Sequence, residues 1–171
     1  EIACVLKNAN FQHQVVMDGM ALKVNDIMFR YPEYLKNINI FSDAINDAFL
    51  VRNHSDRKRA IEKPCVVISP AGMLVGGNAI FYMQKLAFND NNGIAMVSYQ
   101  GEGTPGKKLI ETGKILADGK EMKVKATVKQ FQFSGHADRD SLFDMIKNIK
   151  GNPKVLTVHG DNESCVKFAE E

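Results

Sequence analysis

The chain has 171 residues, of which 44% are hydrophobic and 25% charged, with a net charge of +2. This is the composition of an ordinary soluble globular protein, one medium domain or one and a half small ones, with enough apolar material for a core. The near-neutral balance argues against a strongly basic nucleic-acid binder, so any basic surface must be local. Cys4, Cys65 and Cys165 are odd in number and far apart, which excludes a disulfide framework or a C-x-x-C metal knuckle and fits a reducing cytoplasm. No apolar run approaches the ~18 residues of a membrane span, and no signal peptide is visible.

The first residue is Glu, and residues 1–7 already read as helix, with Ile2, Val5 and Leu6 on one face and no cap before them. The expectation is a piece of a longer protein, and a frayed native N-terminus is the alternative. Residues 14–17 read as a short strand ended by Asp18 and Gly19. A helix follows with Ala21, Val24, Ile27 and Met28 at helical spacing, and Pro32 marks its end or a kink. Residues 36–63 are polar and weakly periodic, giving one short helix and loops.

Cys65-Val-Val-Ile68 is a continuous apolar run typical of a parallel strand buried on both faces. A glycine-rich loop leads to a helix with Ala79, Ile80, Met83, Leu86 and Ala87 in register. A second buried strand, residues 94–99, completes a βαβ unit. A second glycine loop, residues 101–106, opens another short helix. The period then changes to two. Met122, Val124, Ala126 and Val128 alternate with Lys123, Lys125, Thr127 and Lys129, after an Asp118-Gly119 hairpin signal. The lysine row reads as a solvated edge face, with RNA contact as the alternative.

The last forty residues return to the α/β rhythm. Leu142, Met145, Ile146 and Ile149 mark a helix capped by Asp138 and stopped by Gly151-Asn-Pro153. Residues 155–158 read as a strand with His159-Gly-Asp161 at its C-terminal end, where open α/β sheets place ligand chemistry. A final helix starts near Asn162.

Gly101-Glu-Gly-Thr-Pro-Gly106 matches G-x-G-x-x-G formally. The helix after it has room for only about two turns before Gly113, and an alternating hairpin follows instead of a parallel strand. A dinucleotide site is therefore the least favoured reading. Two glycine-rich loops after two adjacent parallel strands would instead share one sheet edge and form a phosphate-binding rim, unless they are only tight connections. His136 and His159 flank one loop–helix–strand unit. Histidine serves as a metal ligand or as an acid near neutral pH. A zinc site needs at least three protein ligands, and spacing alone does not converge His136, Asp138, His159 and Asp161.

Four stretches, in order, resemble the β-CASP family of metallo-β-lactamase nucleases. Ser69-Pro-Ala-Gly-Met-Leu-Val-Gly-Gly77 resembles its S-x-G-M-L-x-G-G loop, and Tyr99-Gln-Gly-Glu-Gly-Thr-Pro-Gly106 its Y-Q-x-x-G-T-x-G loop. Phe133-Ser-Gly-His-Ala-Asp138 and Val158-His-Gly-Asp161 resemble motifs B and C. Val16-Met-Asp-Gly-Met20 and Arg30-Tyr-Pro-Glu-Tyr34 are similar to archaeal members related to the endonuclease subunit of the polyadenylation cleavage factor.

The resemblance implies an α/β fold: residues 1–130 as the later part of a parallel-sheet β-CASP domain, and residues 131–171 as the returning strand–helix–strand part of a metallo-β-lactamase domain. It implies a zinc-dependent ribonuclease that hydrolyses RNA phosphodiester bonds, with two zinc ions in the intact parent and one ligand from this chain. His136 takes the motif B position, orienting the scissile phosphate or protonating the leaving oxygen. His159 takes motif C as a zinc ligand, where the DNA-processing branch typically has valine. Ser69, Gly72, Gly76, Gly77, Gly103, Thr104 and Ser134 are the candidates for phosphate contact. Asp161 departs from the glutamate often found after His-Gly. The His-x-His-x-Asp-His motif is nowhere in the sequence, so this chain alone is expected to be inactive. The expected partners are RNA, the missing N-terminal metallo-β-lactamase portion and, as an open option, a second copy. No membrane is expected, and the expected location is cytoplasmic. The alternative function is a non-catalytic RNA-binding module using the glycine loops and the lysine row.

Overall fold

Short helices and short strands alternate over residues 2–117. In the computed structural model the described residues are 1–171 apart from Asp118, Gln132, 134–136 and His159. They form two units, Glu1–Phe133 and Ser134–Glu171. The first unit runs α1 (Ile2–Asn8), β1 (Gln14–Met17), α2 (Met20–Arg30), a 3-10 turn (Pro32–Tyr34), α3 (Ile38–Asn46), β2 (Phe49–Leu50) and α4 (His54–Ala60). It continues through β3 (Cys65–Ile68), α5 (Asn78–Leu86), β4 (Gly93–Met96), α6 (Pro105–Thr112), β5 (Lys114–Ala117), β6 (Lys120–Lys123) and β7 (Thr127–Gln130).

β1 is the central strand of a parallel sheet in the order β2-β1-β3, with Val16 opposite both Phe49 and Val67. Central placement between two neighbours buries Val16 and Met17 almost completely. β3, expected to be buried on both faces, is an end strand of this order and only half-buried. Around the sheet, Met17 packs with Ala3, Phe41 and Ile45, and Val16 with Val51 and Ala60.

The expected βαβ unit is corrected by the ladders. β3 and β4 share no hydrogen-bonded sheet, because β4 pairs in parallel with β7, Gly93 opposite Thr127. Periodicity marks both strands but is blind to which partner a strand takes. The long alternating run splits as well. β6 forms an antiparallel hairpin with β5, and β7 joins β4. Between them Val124 and Ala126 stay buried while their amides turn to the Gly113 and Ala87 carbonyls. Alternation of burial thus persists where the ladder is broken. Residues 36–63 hold more order than expected. Asn37 and Asn53 each accept a backbone N–H from the first turn and so start α3 and α4. A third cluster, Leu74, Met83, Met96, Leu109 and Ile115, unites α5, β4, α6 and β5. Burying Leu109 completely contributes about 1.5–3 kcal/mol.

The second unit holds α7 (Arg139–Lys147) and α8 (Asn162–Glu170). Asp138 caps α7 by accepting the Ser141 amide at 2.9 Å. Phe143 and Phe168 bring the two helices together, their ring centroids 4.4 Å apart. Residues 155–158 form no ladder, which corrects the strand expected there; the described part of this unit supplies no strand to pair with it. No helix among the described residues is long and apolar enough to cross a membrane.

Candidate functional site

The loop at residues 69–77, joining β3 to α5, is bent against its own steric preferences. Ala71 and Leu74 have φ of 73° and 57°, and Gly77 has φ of 77°. For residues with a Cβ this conformation costs about 1–2 kcal/mol each, so it persists only where neighbours over-determine it. Leu74 is anchored by its buried side chain and by its amide, which donates to the Ala71 carbonyl at 2.9 Å.

The loop at residues 101–106, after β4, supplies the other hold. Gln100, 4% exposed, donates Nε2 to the Gly72 carbonyl at 3.1 Å, and the Gly106 amide donates to the Met73 carbonyl at 2.9 Å. A Cβ at Gly72 would overlap the Ser98 hydroxyl, and one at Gly106 would overlap the Gln100 side-chain oxygen. The absence of side chains at these two glycines is what lets the loops interlock. The two loops therefore do meet, as a shared rim requires, although their strands belong to different ladders.

A buried charge holds the far side of the 69–77 loop. Asp18 ends β1 with 1% exposure and accepts from Arg57 Nε at 2.6 Å, Arg57 Nη2 at 3.1 Å, Asn78 Nδ2 at 2.8 Å and the Tyr82 hydroxyl at 2.8 Å. Burial pushes its pKa up, but the hydrogen bonds from Arg57 and Tyr82 and the guanidinium charge outweigh it, and the carboxyl lies below its usual range. Burial and the bond to Asp18 push the Tyr82 phenol up. Next to Asp18, Gly19 at φ 69° lies so close that an added Cβ would come within 3.1 Å of Asn78 Nδ2 and 3.5 Å of the Pro70 ring. The turn after β1 thus touches both ends of the loop. Along the sequence Asp18 reads as the stop of a strand and as part of Val16-Met-Asp-Gly-Met20, with no partner indicated. Its partners lie 39, 60 and 64 residues away, so no local pattern signals them.

The expected phosphate contacts fall into two groups. Gly76 has open space where a Cβ would stand, Gly77 is exposed, and Gly103, at φ 73°, is also open. Gly72 is turned toward Ser98 and Gln100, its carbonyl already taken. Thr104 uses its hydroxyl to cap α6, donating to the Gly101 carbonyl at 2.7 Å and accepting the Lys107 amide at 3.3 Å. The first amides of α6 are therefore spent on Thr104 and Met73, whereas α5 has Gly77 at its N-cap and so no side-chain cap. Ser69 Oγ is buried with no hydrogen-bond partner. Lys123, Lys125 and Lys129 are exposed. Ser134, His136 and His159 lie outside the described residues. Among the described residues no three His, Cys, Asp or Glu side chains converge as a metal site. Zinc needs at least three protein ligands, so these residues alone do not fit it.

The sequence matches the family described as Beta-Casp domain over residues 1–109. It matches the family described as Zn-dependent metallo-hydrolase RNA specificity domain over residues 121–171. It is 39% identical over 168 residues to RNase aCSPSF2 of Saccharolobus solfataricus, covering 97% of this chain and 34% of that protein. It is 32% identical over 166 residues to Probable RNase MJ4 of Methanocaldococcus jannaschii, covering 94% of this chain and 38% of that protein. Transcription termination factor FttA of the same organism is 34% identical over 179 residues, covering 94% of this chain and 28% of that protein. The chain spans about a third of the length of these relatives.

Proposed function

The chain belongs to the β-CASP metallo-β-lactamase family, and from that premise we propose that it is part of a zinc-dependent ribonuclease hydrolysing RNA phosphodiester bonds. In this reading residues 1–130 are the later part of the β-CASP domain and residues 131–171 return into the metallo-β-lactamase domain. The missing N-terminal portion supplies most zinc ligands, and this chain supplies His159. Alone, the chain is inactive. His136 orients the scissile phosphate or gives a proton to the leaving oxygen, a general-acid task suited to histidine.

The observation that carries the RNA-binding half is the strained, interlocked 69–77 loop. Backbone held in costly conformations by hydrogen bonds from a second loop is pre-organised, so little ordering remains when a ligand arrives. Gly76, with open space around it, and the exposed Gly77 present backbone just before α5, whose partial positive charge favours a phosphate. Gly103 lies on the second loop. Thr104 and Gly72 support the rim through their cap and carbonyl, and Ser69 Oγ is a buried hydroxyl in the same loop.

The exposed lysines at 123, 125 and 129 favour a second reading, in which the chain only binds RNA. One experiment separates the two. End-labelled single-stranded RNA is incubated with zinc and with this chain alone, the full parent protein, or the parent carrying His159→Ala. Cleavage by the intact parent only, lost in the variant, supports the nuclease. A parent that binds RNA but never cuts it under any metal condition leaves the binding module.

A further inference from the structure

Among the described residues of the first unit Asp18 is the most deeply buried charge, and nothing in the proposed reaction uses it. Its partners come from two helices: Arg57 from α4, Asn78 and Tyr82 from α5. A buried ion pair is a poor way to add stability, because an apolar group of the same volume often serves as well. Its use lies in fixing one geometry, and here the geometry fixed is that of the loop. Asn78 is the residue directly after Gly77, and its side-chain amide is tied to Asp18 Oδ1 at 2.8 Å. Pro70, at the other end of the loop, packs on Gly19. The second loop holds the middle of the same segment through Gln100 and Gly106.

We propose that Asp18 is a positioning residue for RNA binding: through Asn78 it sets the first turn of α5, and with it the Gly76–Gly77 backbone that receives a phosphate. This role rests on the reading of the 69–77 loop as an RNA contact. It is a role in binding rather than in chemistry: Asp18 acts through Arg57, Asn78 and Tyr82, to none of which the proposed reaction assigns a step.

The test uses the full parent protein and single-stranded RNA. Asp18→Asn keeps the shape and removes the charge, and Asn78→Ala removes only the link to α5. Each variant is expected to raise KM for RNA about tenfold, as loss of one charge-assisted hydrogen bond does, with kcat and bound zinc close to wild type. The double variant Asp18→Asn with Asn78→Asp restores one carboxylate facing one amide and is expected to recover much of the KM. A merely structural role would lower the melting temperature and the active fraction but leave KM of the folded protein unchanged. Should Asp18→Asn fail to fold, Asn78→Ala decides alone. A folded Asn78→Ala enzyme with wild-type KM overturns the positioning role. A wild-type parent that does not bind RNA at all overturns the functional reading and this role with it, and the two failures are told apart by the wild-type control.

Discussion

Arg57 gives both Nε and Nη2 to the Asp18 carboxylate, and its guanidinium lies 5.8 Å from the Phe81 ring centroid. Removing it leaves a fully buried carboxylate without its counter-charge. Arg57→Ala is therefore expected to cost about 3–5 kcal/mol, read as a lowered urea midpoint. Arg57→Lys should recover only part of this, since an ammonium cannot make the two-pronged contact; full recovery would mean that charge alone matters here. The same pair sets a pH dependence. The folded pKa of Asp18 lies below the ordinary 3.8, so the native state binds the proton less well than the unfolded chain does. Its stabilisation is complete above that ordinary value and is lost as pH falls through the depressed one. The stability gap between wild type and Asp18→Asn should therefore be constant from neutral pH down to mildly acidic pH and shrink in stronger acid. A gap that instead widens on acidification would reverse the assigned direction.

Within the elements, the glycines of the second loop stand for different physical needs. Gly103 has φ of 73° and empty space around it, so Gly103→Ala meets only backbone strain, about 1–2 kcal/mol. Gly106 is confronted by the Gln100 side-chain oxygen and lies 3.1 Å, from the position of an added Cβ, to the Gly72 carbonyl. Gly106→Ala should cost about 1–3 kcal/mol by overpacking and drive Gln100 off its acceptor. In a Gln100→Ala background that cost should fall, and strict additivity in this double-mutant cycle would argue against the loop lock. Features of this local kind were legible beforehand. β1 was visible from its valines, α7 from Asp138 and its apolar spacing, α6 from its stop at Gly113, which takes φ of 66°. Pairing was not, because β4 finds β7 34 positions downstream and no local property of either strand names the other. α3 and α4 were missed or blurred because Asn37 and Asn53 cap helices of only nine and seven residues, too short for periodicity to stand out. Of the site, the glycine loops were legible as motifs, whereas the Asp18 network exists only once α4 and α5 are in place.

At the scale of the whole molecule the two units differ in how much they bury. Among the described residues the first has three apolar clusters, whereas neither α7 nor α8 contains a buried residue. Met145, Ile149, Leu156 and Val158 are 59%, 47%, 85% and 77% exposed, along an open groove of about 1050 Å³ that also includes Leu142 and Phe168. A 38-residue piece, Ser134–Glu171, is below the size at which a domain usually folds without help. Its apolar side is large for a protein surface and calls for a cover. The relatives are about three times as long as this chain, and in the reading proposed above the cover is the rest of a metallo-β-lactamase domain, with residues 155–158 offered as a strand for its sheet. Hydrogen exchange tests this directly. In the chain alone, α7 and residues 155–158 should exchange quickly, while β1 and β4 are protected. In the parent protein the 155–158 amides should slow by orders of magnitude as they enter a ladder. If α7 and 155–158 are already protected in the isolated chain, the second unit is self-sufficient, and the reading of its apolar face as a seat for further metallo-β-lactamase structure fails.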